Sequence, residues 1–196
     1  MNPTQYFEQL AAAQSRLPIA DIERLAGLLR QAQMAGRTVF TFGNGGSAAL
    51  AAHMVCDLAK GTAQAGGPRL RMRSLVGNIP LLTAWANDTE YAAIFAEQLA
   101  NEGQLGDMVL AISCSGNSPN VLRGLERARE LGMTTAALGG YAGGRMRALC
   151  DCCVVVPSDH MQIIEDMHHA IGHALYLALA SADVRRNAAA AGLGAR

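Results

Sequence analysis

Four short apolar runs recur along the chain, and a helical stretch separates each from the next. They are TVFTFG at 38–43, DMVLAIS at 107–113, TTAALGG at 134–140 and CVVVPS at 153–158. Runs of this length, rich in β-branched residues, read as strands buried on both faces. Such strands alternating with helices predict an α/β fold, a doubly wound parallel sheet flanked by helices on both faces. LRMRSLV at 70–76 alternates weakly and reads as a further strand.

The helices are marked by their ends. Asn2-Pro3 opens one over about 3–16, with proline in its first turn. A second runs from about 20 to 35 and stops at Gly36. A third is expected from Ser47 to about Lys60, followed by a loop over 61–68. IPLLTAWA and EYAAIFAEQLANEG read as two helices separated by Asn87-Asp88. Others follow the second strand as far as Leu131, cover RMRALCD briefly, and run from about 161 to 183. The first two helices precede the sheet, so residues 1–36 read as a helical arm, one structural unit with a domain over 37–183. Residues 184–196 read as a flexible tail. A chain of 196 residues suits one such domain.

Formal net charge is zero, with 16% charged residues, so no basic surplus favours nucleic acid. No run is long enough to span a bilayer, and the polar start MNPTQYFEQLAAAQ has no secretory pattern. The expectation is a cytoplasmic protein with reduced cysteines. Half the residues are apolar, many of them alanine, which suggests apolar surface covered by other subunits. Three of the five cysteines form CDCC at 150–153. That cluster lacks the paired spacing of a metal site and reads as core packing beside a buried strand.

In sheets of this kind ligands sit outside the carboxyl ends of the strands. Two Ser/Gly-rich turns fall there: Gly43-Asn44-Gly45-Gly46-Ser47, and Ser113-Cys114-Ser115-Gly116-Asn117-Ser118. Each follows a strand and opens a helix, whose free N–H groups favour an anion. Serines add neutral donors, and glycines let the backbone come close to a ligand. The plainer alternative makes Ser47 and Ser118 helix caps and the glycines ordinary turn residues. Two such turns on one edge favour phosphate or sugar. Neither turn matches a nucleotide fingerprint or contains a lysine or arginine, so a single phosphate fits better than a triphosphate.

Titratable groups follow. His53 and Asp57 are four apart and share a helix face one turn beyond the first Gly-rich loop. In the late helix Glu165, His169 and His173 form a stripe, with Asp166 and His168 off it. Imidazoles and carboxylates at such spacing can hold a divalent ion such as zinc or move protons. The rival is a solvated polar face or histidines satisfied in a core, and spacing does not choose between His169 and His173.

The turns GNGGS and SCSGNSPNV, the pair AND, and VPS followed by IEDMH together resemble the sugar isomerase (SIS) domain family, and within it the phosphoheptose isomerases that act on sedoheptulose 7-phosphate. The resemblance runs from about residue 4 to about 183. It implies a zinc-dependent aldose–ketose isomerase for heptose-containing glycan precursors, one zinc per subunit, in a homotetramer with active sites between subunits. It implies substrate contacts from Asn44, Gly45, Gly46, Ser47, Asp57, Asn87, Asp88 and Glu165, with the phosphate in the turn of Ser113, Cys114, Ser115 and Ser118. It implies His53, Asp57, Glu165 and His173 as metal ligands, and Asp57 and His173 as the proton-transfer pair. Three positions depart from the family pattern. Asp57 stands where Glu is usual, Glu165 where Gln is usual, and Cys114 where Thr is common.

A second reading is a non-catalytic relative, the replication-initiator-associating protein, which keeps the Gly-rich turns and serves as an adaptor. It lacks the acid four residues after the loop-helix histidine and the final histidine of the late helix, both of which this chain has in Asp57 and His173. A third is a sugar-phosphate-sensing regulator, for which the neutral N-terminal region offers no basic DNA-binding helix.

Overall fold

The computed structural model describes residues 1–63 and 67–190, with side chains through residue 180. Its strands are β1 (Thr38–Gly43), β2 (Arg71–Ser74), β3 (Met108–Ser113), β4 (Thr134–Gly139) and β5 (Cys152–Val155). They form one sheet in the order β2-β1-β3-β4-β5, parallel throughout. The order of chain entry reverses at β1 and β3, so the sheet winds outward from its middle. The first Gly-rich turn leaves β1 and the second leaves β3, which places both at the switch point where open α/β sheets bind ligands.

The period of two along each strand divides the core into two layers. Val39, Leu110, Ile112, Ala136 and Leu138 face one side, where α2 (Ile19–Met34), α3 (Gly46–Val55) and α7 (Met161–Ala190) pack. Phe40, Phe42, Val109, Ala111 and Ala137 face the other, under α4 (Ile79–Asp88), α5 (Ile94–Glu102) and α6 (Pro119–Glu130). Phe42 and Phe95 stack there with ring centroids 4.9 Å apart.

α1 (Pro3–Ser15) opens with a reciprocal cap: the Asn2 side chain accepts from the Gln5 N–H, and the Gln5 side chain accepts from the Asn2 N–H, each at 2.9 Å. Gly36, φ +64°, follows the end of α2. The two N-terminal helices share the core of the sheet, since Ala13, Ile22, Leu25 and Leu29 are buried with α7 and β1 residues. The cysteine cluster also belongs to the core. Cys152 is buried with the α2 layer, while Cys150 and Cys153 pack against the opposite one.

Among the boundaries that differ from the sequence reading are three along the helices. The helix expected over 47–60 is α-helical only to Val55 and continues as a π-helical turn over Cys56–Lys60, a widening that apolar spacing does not signal. Asn87 and Asp88, read as a break, complete the last turn of α4, and the chain turns at Thr89 instead. The last helix passes residue 183 and continues to Ala190, so the first part of the expected tail is helical. Residues 191–196, the rest of that tail, lie outside the described residues.

Candidate active site

The first turn is shaped by what glycine leaves out. A Cβ on Gly43 would lie 2.6 Å from the Ile112 carbonyl oxygen, and one on Gly46 would lie 2.6 Å from Glu165 Oε1. Gly45, φ +55°, is the N-cap of α3 and supplies no side-chain cap. Ser47 is buried inside the helix rather than at its cap. In the second turn Ser113 Oγ accepts from the Gly116 N–H at 3.2 Å and Ser115 Oγ from the Asn117 N–H at 3.3 Å. Ser118 occupies the N-cap of α6, yet its hydroxyl makes no capping bond. The capping explanation therefore fails for both serines; the first turn of α3 has no side-chain cap, whereas in α6 Pro119 has no N–H and the Val121 N–H donates to Asn120 Oδ1 at 3.0 Å.

The two turns are joined across β1 and β3. Asn44 Nδ2 donates to Asn120 Oδ1 and Asn120 Nδ2 donates to Asn44 Oδ1, both at 2.8 Å. Tyr91 adds its hydroxyl to Asn44 Oδ1 at 3.0 Å. Above this floor lies a cavity of about 180 Å³ lined by Asn44, Ser47, Ser113, Cys114, Ser115, Ser118 and Glu165, with Ile112, Tyr141 and Met161. No lysine or arginine lines it. Burial pushes the Cys114 thiol up, and the Glu165 carboxylate adds to the effect, so Cys114 meets a ligand as a neutral S–H.

A second group forms farther along α3, with its π-helical continuation, and along α7. Asp57 Oδ2 lies 3.1 Å from His53 Nε2 and 3.6 Å from His173 Nε2, and the two imidazole nitrogens are 3.2 Å apart. For metal–ligand bonds of about 2.0–2.2 Å, the edges of a tetrahedral site are roughly 3.3–3.6 Å long. The three atoms thus approximate one face of such a site, with the fourth corner open. This is the one cluster of three such donors among the described residues.

Two expected contributors are placed elsewhere. Glu165 does not join the triangle; its carboxylate stands against Gly46 at the cavity. It precedes His173 by eight residues on α7, about 12 Å of helical rise, which separates groups that share one face. Asn87 and Asp88 are exposed at the end of α4, where Asn87 Nδ2 donates to Asp88 Oδ1 at 2.8 Å, and neither lines the cavity. His169 is exposed, its Nδ1–H directed at the Glu165 carbonyl, with its ring centroid 6.1 Å from that of His53.

The SIS domain family matches residues 5–140. A phosphoheptose isomerase of Akkermansia muciniphila is 38% identical over 153 residues, 78% of this chain and 80% of that one. One of Rhodospirillum rubrum is 41% identical over 154 residues, 79% and 81% of the two chains. Among solved structures, a phosphoheptose isomerase of Neisseria gonorrhoeae superposes with a TM-score of 0.84 at 28% identity, covering 91% of this chain and 96% of that one.

The chain belongs to the phosphoheptose isomerase family.

In this phosphoheptose isomerase family member, the sequence reading missed three residues at the site. Asn120, 2% exposed, holds Asn44; its one sequence signal is a polar group on the buried face of α6, beside Val121. Tyr91 donates its hydroxyl to the oxygen of the Asn44 amide. Tyr141 borders the cavity from the β4 end. His168 also gains a role. It is 1% exposed, its Nε2–H donates to the Gly139 carbonyl at 3.0 Å, and burial lowers its pKa to about 4. It is a neutral clamp between α7 and the end of β4.

Proposed function

We propose that this chain is an aldose–ketose isomerase that converts sedoheptulose 7-phosphate to an aldose heptose 7-phosphate through an enediol. The observation that carries this reading is the common course of α3 and α7. Near their starts, Ser47 and Glu165 border the hydroxyl-lined cavity, and farther on both helices lead to the His53–Asp57–His173 triangle. The rise is about 9 Å from Ser47 to His53 and about 12 Å from Glu165 to His173. A seven-carbon sugar with its phosphate in the cavity bridges that span and brings C1 and C2 to the triangle. The names of the most similar curated relatives support the same substrate class.

The roles follow from the chemistry of each group. Ser113, Ser115 and Ser118 hold the phosphate with neutral donors beside the N-terminus of α6. Asn44 and Glu165 orient hydroxyls along the chain, and Gly45 and Gly46 let the backbone approach them. Asn87 and Asp88 are assigned to the substrate through the family motif. Asp57 and His173 carry the proton between C1 and C2. Two imidazoles and a carboxylate suit zinc, one per subunit, and a bound zinc would polarise the carbonyl–hydroxyl pair.

Assembly is part of the proposal. The triangle's side chains are 29–57% exposed, and Phe7, Ile79 and Leu177 are each at least 60% exposed. A closed homotetramer of D2 symmetry, with sites between subunits, would cover such surface. The proposal places the chain in the cytoplasm: all five cysteines are free, and no described helix is long and apolar enough to cross a membrane. The test mixes purified protein with sedoheptulose 7-phosphate and follows aldose formation by NMR, with and without chelator, while light scattering reads the assembly. Turnover by a tetramer carrying about one zinc per chain is expected, with His53→Ala lowering bound metal severalfold. Metal-loaded protein that leaves the ketose unchanged, or a monomer at micromolar concentration, would contradict the corresponding part of the proposal.

A further inference from the structure

The loop after β4 reads Gly139-Gly140-Tyr141-Ala142-Gly143-Gly144. Three of its residues have left-handed backbone: Gly143 at φ +86°, Gly144 at φ +57° and Tyr141 at φ +52°. Two are glycine, the residue that this conformation favours. The third is a bulky aromatic, and it is the one non-glycine residue with positive φ among the described residues. Its backbone is pinned there, since the Tyr141 N–H donates to the Ser158 carbonyl at 2.9 Å and the Gly140 N–H to the Cys114 carbonyl at 2.9 Å. A strained backbone that persists at a site edge points to a use for the side chain.

Two cavities show what that use is. Tyr141 borders the 180 Å³ cavity of the serine turn, and it also borders a cavity of about 670 Å³ lined by Ala12 and Arg16 of the α1 end and by Pro157, Ser158 and Asp159. No other residue lines both. The second cavity holds one cation and one anion, Arg16 and Asp159, so it offers room without a net charge preference.

We infer that Tyr141 is a specificity-determining residue, a partition that confines the serine turn to phosphate monoesters by closing it off from the adjoining cavity. This rests on the sugar-phosphate reading of the turn. The phosphate of a sugar monoester enters with its one ester substituent leading along α3 and α7. A phosphodiester has a second substituent that must leave in another direction, and Tyr141 stands between the turn and the space that would receive it. Removing the ring joins the two cavities and admits diesters with a small neutral second group, such as a glyceryl ester.

The test compares the parent with Tyr141→Gly and Tyr141→Phe. Glycine suits the backbone angle, and Tyr141→Asn, a residue that also tolerates it, serves as a second truncation should the glycine variant fold poorly. Competitive inhibition of the isomerase is measured with glycerol phosphate, a monoester, and with glycerophosphoglycerol, a diester. The expected result is a diester-to-monoester affinity ratio at least tenfold higher in the truncations than in the parent, with the ratio in Tyr141→Phe unchanged. A ratio unmoved in both truncations overturns the partition. A ratio that rises equally in Tyr141→Phe also overturns it, because the hydroxyl and not the bulk of the ring would then discriminate. A parent that isomerises its substrate but is not competed by the monoester overturns the partition and leaves the isomerase reading standing. A parent that neither isomerises the sugar nor binds the monoester overturns both.

Discussion

The two ends of the site are built on opposite principles. The cavity end is made of backbone turns and, Glu165 apart, neutral side chains, and Ser47, Ser113 and Cys114 are buried in it. The triangle end is made of charged or chargeable side chains on two helices, with His173 at 57% exposure. The recess proposed for the phosphate has a buried floor, whereas the group proposed to move protons stands half in solvent. The difference teaches that the proposed recognition is encoded locally in turns, while the proposed reactivity rests on side chains that a single chain leaves partly in solvent. Excluding water from the triangle would strengthen every electrostatic interaction within it.

The strongest way to break this comparison is at Asp57. Asp57→Asn should cut turnover by roughly 10²–10⁴-fold, the usual worth of a positioned acid or base, and leave monoester affinity near the parent's. Turnover equal to the parent's, with metal content verified, would transfer the chemistry to His173. Asp57→Glu sharpens the point: activity preserved or raised marks the short carboxylate as a tolerated variation, and activity lost marks it as fitted to this triangle.

The cavity end is probed by Ser118→Ala. Its hydroxyl makes no cap, so the substitution would remove the proposed phosphate contact with little cost to α6. A hydrogen bond to a charged group is worth about 1.5–3 kcal/mol, so apparent affinity for the phosphate should fall tenfold or more while turnover at saturation holds. Equal binding of a phosphorylated and an unphosphorylated heptose would remove phosphate from this cavity.

The smallest effect separates the two ends by acid. His168 titrates near 4 in the fold and near 6.5 when unfolded. Between those values the unfolded chain binds the extra proton, so stability is retained above pH 6.5 and lost as pH falls toward 4. At pH 5 the loss is about 2 kcal/mol relative to pH 7 from this group alone. Urea unfolding at the two pH values reads it, and His168→Gln should flatten the difference. An unchanged pH dependence in that variant would assign the acid sensitivity to other groups.

Much of this was legible in the sequence because it is periodic or compositional. The sheet follows from apolar runs, and the two turns from glycine and serine density at strand ends. What escaped depends on contacts across long separations or on axial distance. Asn44 and Asn120 are 76 residues apart, and nothing local marks them as partners. The stripe of Glu165, His169 and His173 is real as an angle, but helical phase carries no information on height. Glu165 therefore reaches a different part of the site from His173. The π-helical turn at 56–60 and the left-handed Tyr141 are likewise set by tertiary packing, which overrides local preference.

The paired amides of Asn44 and Asn120 have one more consequence. Within the pair each side chain donates once and accepts once, each oxygen accepts one further bond, from Tyr91 or from the Val121 N–H, and neither amide carries a charge or a titratable proton. Mobile ions shield exposed charges over about 8 Å at physiological ionic strength, and that shielding acts on the triangle far more than on a buried dipole pair. The brace between the two turns therefore keeps its geometry from dilute buffer to concentrated brine.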